Sequence, residues 1–498
     1  MALNAPQLQH RRAAWRWLTW PGLAAIGLLV ACAAALDDPL ARAASPSAAP
    51  DWPPAWQPER PPAPDFGAPG FEPPRAQHCR RQPTTREVPG AAANRFPSPW
   101  REERSAAAAG TVAEAVDARE AAKTARADAA SDRAVPAAPA AQAELQRMPT
   151  RPRETVTAGV VDDNADFGEY LAYRRRHAGL AVRERDVSER YLLEVTDAAG
   201  RPVHDAEVAV QRAGVAEPLA WARTDTAGRV WLHPRAFAGQ DSDRQLGIAV
   251  RKGAQQARAV LVRGDRAAVQ VRLGAAPAAQ RPRLDLVFLI DATGSMGDEI
   301  AKLKHSMRAM AQQIAQLPGQ PDICWGLVAY RDRGDAFLTR MHDFTDDLGA
   351  FQQVLARVQA QGGGDMPEAL NEALHEVVHG LSWRADAARM VVLVADAPPH
   401  LDYGGPQYDT DMQAALAKGI KLFAVGASGL DPVGEYVFRQ LAQYTAGRFV
   451  FLTYRDASDP GSGPGTQTPH DVRNYSVQTL DRLVVRLVSE EMARLSRS

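Results

Sequence analysis

From residue 283 onward the sequence switches repeatedly between two kinds of segment. That alternation constrains the fold more than any other feature. Short continuous apolar runs recur: "LDLVFLI" (284–290), "DICWGLVAYRD" (322–332), "RMVVLVAD" (389–396), "IKLFAVGA" (420–427) and "RFVFL" (448–452). Amphipathic stretches separate most of them. In "GDEIAKLKHSMRAMAQQIAQL" (297–317), Ile300, Leu303, Met307, Met310 and Ile314 share one helical face. "PEALNEALHEVVHGL", "YDTDMQAALAKG" and "DPVGEYVFRQLAQYTAG" read as further helices, and "DAFLTRMHDF" as a further strand. Strands apolar on both faces, alternating with helices, predict a doubly wound, mostly parallel, Rossmann-like α/β sheet. The pattern spans 283–455.

In such a sheet, ligands bind beyond the carboxyl ends of the strands. The first strand runs into Asp291-Ala-Thr293-Gly-Ser295, "GGGDMPEAL" brings Asp365 out of a glycine-rich loop, and "VVLVA" ends on Asp396. Each has a purely structural explanation. Ser295 with Asp298, and Asp365 with Glu368, fit capping boxes. Asp396 before Ala-Pro-Pro fits a turn. Their joint arrival on one rim points instead to a metal site. Oxygen donors without Cys or His select a hard cation: Mg²⁺ first, with Ca²⁺ and Mn²⁺ as alternatives.

"DATGSM", "GGGDMPEAL" and "VVLVADAPP" together resemble the von Willebrand factor A domain with its metal-ion-dependent adhesion site. The resemblance covers about a third of the chain. It implies that Asp291, Thr293 and Ser295 fill the first-loop positions and Asp396 the third. Asp365 stands where the family usually has Thr. A carboxylate there would either ligate directly, quenching the metal's appetite for an outside acid, or orient a water. The resemblance also implies a protein partner whose acidic side chain completes the metal shell. His400, Asp402 and Tyr403, just after the third loop, are candidates for the rim of that binding face.

The N-terminal half reads differently. His10, Arg11, Arg12 and Arg16 precede "WLTWPGLAAIGLLVACAAAL", an uncharged run of about 20 residues. Residues 1–36 are therefore expected to be an export signal, a lipoprotein leader lipidated at Cys32, or an uncleaved anchor. Residues 37–155, rich in Ala, Pro, Arg and Ser, are expected to be a disordered spacer. Residues 156–189 suggest a short helical lead-in. Residues 190–275 carry short strands with Asp/Gly turns, as in "TDAAGRPVHDAEVAV" and "TDTAGRV", and predict a small all-β sandwich. They resemble Ig-like and carboxypeptidase-regulatory-like modules, which implies a spacer role. Residues 474–496 predict a terminal helix with Leu480, Leu483, Val484, Leu487 and Met492 on one stripe. With only three cysteines, Cys32, Cys79 and Cys324, no disulfide framework is expected.

Lys+Arg 58 against Asp+Glu 59 leaves a formal charge of −1, which gives no pull toward nucleic acid. The expected function is metal-dependent protein binding in the cell envelope, for adhesion or complex assembly, on a membrane-tethered chain. An enzyme is not expected. A phosphatase of the haloacid-dehalogenase kind needs a second Asp where Thr293 stands. A chaperone-like subunit of an ATPase machine is the third alternative, and the export signal argues against it.

Overall fold

The computed structural model describes residues 78–90, 155–215, 217–238, 243–274, 281–364 and 366–495. The expected leader with Cys32, and most of the 37–155 tract, lie outside the described residues. In chain order the first elements are β1 (Thr85–Val88), β2 (Thr157–Val161) and α1 (Phe167–Arg176). Then follow β3 (Tyr191–Thr196), β4 (Glu207–Gln211), β5 (Ala220–Arg223), β6 (Arg229–Leu232), α2 (Pro234–Ala238), β7 (Gln245–Lys252), β8 (Gln255–Val262) and β9 (Val269–Arg272). The α/β region holds β10 (Arg283–Asp291), α3 (Gly297–Ala315), β11 (Asp322–Tyr330), β12 (Thr339–Thr345), α4 (Leu348–Arg357), α5 (Leu370–His375), β13 (Ala387–Ala395), α6 (Tyr408–Ala417), β14 (Ile420–Gly426), α7 (Pro432–Tyr444) and β15 (Arg448–Asp456). The chain closes with β16 (Asp459–Pro464), β17 (Val477–Thr479) and α8 (Leu480–Leu495).

The main sheet has ten strands in the order β1-β12-β11-β10-β13-β14-β15-β2-β17, with β16 paired to β15. Its centre, β11 through β15 by way of β10, β13 and β14, is parallel. β10 and β13 are buried along almost their whole length, which explains their unbroken apolar sequence. Helix α3 lays Ile300, Leu303, Met307, Met310 and Ile314 on one face of the sheet, where the stripe of α8 joins them. α5, α6 and α7 cover the other face.

Three sequence expectations are corrected at the edges of this sheet. Part of the 37–155 tract is ordered: β1 pairs antiparallel with β12, and Cys79 forms a disulfide with Cys324 at the start of β11. Four residues paired at an edge are too few to give a periodic signal, so composition alone suggested a spacer. One disulfide therefore fastens this N-terminal strap. The 156–189 lead-in also contributes β2, which sits between β15 and β17. Gly159 lets that strand approach β15, since a Cβ there would lie 2.5 Å from the Phe451 ring. The helix that follows, α1, is capped by Asp166, whose carboxylate accepts from the Glu169 backbone N–H.

Residues 191–272 form two small sheets, β6-β3-β9 and β5-β4-β7-β8. In β3, Tyr191, Leu193 and Val195 point inward, and alternate residues lie nearer solvent. The inward residues meet Val208, Val210, Ile248 and Val250 in a shared core. This unit is welded to the main sheet rather than spaced from it. Arg389 of β13 donates to both carboxylate oxygens of Asp205, at 2.9 and 3.3 Å. Glu491 of α8 accepts from Thr226 at 2.5 Å and pairs with Lys421 of β14 at 2.8 Å. Buried ion pairs of this kind fix an orientation that a flexible spacer lacks. Among the described residues, no helix is long and apolar enough to cross a membrane.

Candidate metal centre

β10 delivers Asp291 in register with Tyr330, the last residue of β11. The chain then leaves the sheet and folds back on itself. Asp291 Oδ1 accepts from the Thr293 backbone N–H at 2.9 Å and from the Thr293 hydroxyl at 2.6 Å. Thr293 and Ser295 hydroxyls lie 3.0 Å apart, and Ser295 donates to Asp396 Oδ1 at 3.1 Å. Asp396 directly follows β13, next to β10 in the sheet. Four of the five expected metal residues therefore stand on one rim. The fifth, Asp365, lies outside the described residues. Its glycine-rich loop nevertheless reaches the same place. Gly294 N–H donates to Gly362 O at 2.9 Å, and Gln361 N–H to Ala292 O at 3.0 Å. At Gly363, with φ +69°, a Cβ would lie 2.8 Å from Glu368 Oε1 and 3.1 Å from Thr293 Cβ. Only glycine fits that approach.

α3 is entered from Met296 through a 3₁₀ turn, and the Ser295 hydroxyl donates to Asp396, so this residue of the expected capping box faces the rim. α5 lacks a side-chain cap.

The electrostatics are lopsided. Asp291 and Thr293 are fully buried, and Asp396 is nearly so. Among the described residues no Lys or Arg forms an ion pair with Asp291, and its Oδ2 has no hydrogen-bond partner. Burial, and then the neighbouring Asp396 carboxylate, push Asp291 up to about 7. Tyr330 is pushed well above its ordinary value by burial and by the charges of Asp291, Asp396 and Glu368. A buried carboxylate beside a second one, with an unpartnered oxygen and hydroxyls aimed inward, suits a hard divalent cation. Asp291, Thr293, Ser295 and Asp396 are the residues that would hold it. Ser295 is exposed, so the site opens to solvent on that side.

Sequence reading missed Tyr330 and Glu368. Tyr330 lies in "DICWGLVAYRD", which reads only as a strand. Glu368 was read as half of a capping box, yet it is buried and bridges the loops. Its N–H donates to Pro398 O at 3.0 Å, and its O accepts from His400 N–H at 3.1 Å. An acid directly after the Asp365-Met366-Pro367 sequence was the available signal.

The expected rim residues do cluster. His400 stacks on Tyr403 with ring centroids 3.7 Å apart, and its Nδ1 lies 2.9 Å from Asp402 Oδ1. Tyr403 donates to Asp332 Oδ1 at 2.6 Å, while Arg333 lies 3.7 Å over the Tyr403 ring. Although burial opposes the charge, Asp332 and Asp402 raise His400 above its ordinary value.

The α/β region, residues 285–458, matches the family model for the von Willebrand factor type A domain. This part of the chain is a von Willebrand factor type A domain. Among curated proteins, the chain is 29% identical over 119 residues to "Alpha-protein kinase vwkA" of Dictyostelium discoideum, covering 24% of this chain and 19% of that protein. It is 37% identical over 93 residues to "von Willebrand factor A domain-containing protein 7" of Rattus norvegicus, covering 19% and 10%. The chain thus spans a fifth or less of these relatives' lengths. A solved structure titled "von Willebrand factor type A from Catenulispora acidiphila" aligns at 14% identity and a TM-score of 0.23, covering 41% of this chain and 45% of that one. Von Willebrand A domains commonly mediate protein–protein interactions, and many bind a divalent metal.

Proposed function

We propose that this chain is an exported, non-enzymatic protein that binds a protein partner through a metal held at the rim of its von Willebrand A domain. The observation that carries the reading is Asp291: a fully buried carboxylate beside Asp396, held by Thr293 of its own loop and facing the Tyr330 phenol, with no Lys or Arg ion pair among the described residues. Mg²⁺ is the expected ion, since the donors are carboxylate and hydroxyl oxygens. When bound, it supplies an electron-poor centre for an oxygen ligand. The protein's part is to fix Thr293 and Ser295 against Asp291 and Asp396 and to leave the Ser295 side open. The stacked His400–Tyr403 pair, with Asp402, follows the third loop and supplies the partner-facing rim.

The Cys79–Cys324 disulfide supports export, because disulfides persist in oxidising compartments. It joins the basic and apolar leader of the sequence in favouring the cell envelope, with lipidation at Cys32 as the tether. The two small sheets at 191–272 suit the Ig-like modules of envelope proteins, here serving as a rigid base. Catalysis is left out of the proposal because Thr293 occupies the position where a phosphatase would place its acid.

Two measurements test the reading. Mg²⁺ or Mn²⁺ should raise the melting temperature of the metal-stripped protein, and Asp291→Ala should abolish the rise. No response of the wild type would overturn the metal half. Capture of a partner by the full chain should disappear in chelator and in Asp291→Ala. Capture that survives both would overturn the metal-dependent half of the binding proposal.

A further inference from the structure

Beyond the rim, the far end of α5 and the start of α6 bring together a second set of metal-capable side chains. His375 closes α5, and His379 lies in the π turn Glu376–Gly380 that continues it. Together they spell "HEVVH", two imidazoles four residues apart on one helical face. Asp411, in the first turn of α6, faces both. His375 Nδ1 lies 3.1 and 3.2 Å from the two Asp411 oxygens, and His379 Nε2 lies 2.9 Å from Oδ1. One donor atom from each of the three residues lies within 4.8 Å of the others. Two zinc bonds of about 2.0–2.1 Å at a tetrahedral angle span about 3.3 Å. The imidazole–carboxylate separations are thus close to the edges of a coordination polyhedron.

The burial pattern completes the argument. The Asp411 side chain is 4% exposed, whereas those of His375 and His379 are 47% and 36% exposed. The carboxylate forms the floor of a cup, and the imidazoles form a wall open to solvent. Among the described residues Asp411 has no Lys or Arg ion-pair partner; its salt-bridge partners are these two imidazoles. A buried carboxylate calls for a cation, and nitrogen donors beside it select a borderline transition ion over Mg²⁺.

We propose that His375, His379 and Asp411 form a second metal site, specific for a divalent transition ion of the Zn²⁺ type and separate from the oxygen-only rim. Its role is to bind, not to hydrolyse. In an H-E-x-x-H metalloprotease the glutamate acts as general base. Here Glu376 is ion-paired with Arg86 of β1, on the strap that Cys79–Cys324 fastens. The ion would staple α5 to α6. Asn371 of α5 already joins these helices to the third loop, accepting from Tyr408 N–H at 2.8 Å and donating to His400 O. The staple would therefore hold the two helices that frame the adhesion rim.

The test uses the full chain without a polyhistidine tag, stripped of metal and titrated with Zn²⁺ against a chromophoric chelator. The wild type and Asp291→Ala should each take up one tight equivalent and give the visible bands of a tetrahedral site with Co²⁺. The double variant His375→Ala/His379→Ala should lose that equivalent and those bands while its Mg²⁺-induced melting shift stays intact. Asp411→Asn, which keeps the shape and a hydrogen-bonding side chain, should weaken Zn²⁺ at least tenfold. Zn²⁺ uptake that is absent in the wild type, unchanged in the double variant, or lost in Asp291→Ala instead would overturn the site.

Discussion

Strand β10 buries an aspartate at each end, and the two are treated in opposite ways. Asp285, near the amino end, is fully buried and receives the Arg384 Nε at 2.6 Å and the Arg384 backbone N–H at 2.8 Å. Asp291, at the carboxyl end, is equally buried but meets only neutral donors, the Thr293 backbone N–H and hydroxyl and the Tyr330 phenol, and no Lys or Arg among the described residues. The contrast extends across the sheet. At the amino ends of the neighbouring strands, Asp205 pairs with Arg389 and Glu491 with Lys421. Burial pushes Asp205 up, but Arg389, Lys252 and Arg223 hold it well below the ordinary carboxylate range. Burial of an acid is therefore not the mark of a site in this protein. The mark is burial without a built-in cation.

Breaking the compensated end should have the largest effect. Arg384→Ala removes the cation paired with buried Asp285 and leaves it the backbone N–H alone; loss of one partner of a buried pair costs about 3–5 kcal/mol. Urea unfolding should show a loss of that size. A loss near zero would mean that Asp285 is protonated, and the contrast between the two ends would vanish. The uncompensated end should respond the opposite way. In chelator, Asp291→Asn should be at least as stable as the wild type, because it removes a repulsive charge and keeps the shape. It should also forfeit the stabilisation by Mg²⁺, which amounts to about 2.7 kcal/mol at a hundredfold excess over Kd.

How much of this contrast could be read from sequence differs between the two ends. The carboxyl-end residues were legible because "DATGSM" and "VADAPP" put polar side chains directly after apolar runs, where strand polarity dictates the rim. The amino-end pairs were not. Asp285 sits inside the run "LDLVFLI", and its partner lies 99 positions away on a loop that only the folded sheet brings near. Asp205–Arg389 joins two separately predicted units, so no local pattern announces it. The same holds for β1 and β2, whose pairing partners are distant in sequence and whose few residues carry no period of their own. The His375–His379–Asp411 cluster was legible in its first half, as "HEVVH", but its third member becomes visible only once α5 and α6 are adjacent. Local chemistry was readable, and long-range compensation was not.

Glu491 sharpens the comparison at a junction between units. Burial pushes its carboxyl up, but Lys421 and Thr226 bring it down to about 2. A lowered value means that the folded state gains from the charged form. That stability is present above the ordinary 4.5 and is lost as the pH falls through about 2. Glu491→Gln should cost about 1.5–3 kcal/mol at neutral pH, the range for hydrogen bonds to charged groups. The cost should disappear in strong acid. A pH-independent cost would mean that packing of the side chain, not its charge, joins α8 to the β unit.

Asp291 should give a signal of the opposite sign. Its folded-state value is raised from 3.8 to about 7, so between those limits the folded protein holds a proton that the unfolded chain has released. The resulting stability is fully present below 3.8 and is lost as the pH rises through about 7. In chelator, the difference in melting temperature between Asp291→Asn and the wild type should therefore widen in the variant's favour from pH 5 to pH 8. Mg²⁺ competes with that proton, so its stabilisation of the wild type should grow over the same interval. A flat difference in chelator would mean that a donor not assigned above already neutralises Asp291. The two ends of β10 would then differ in the identity of the compensating group and not in its presence.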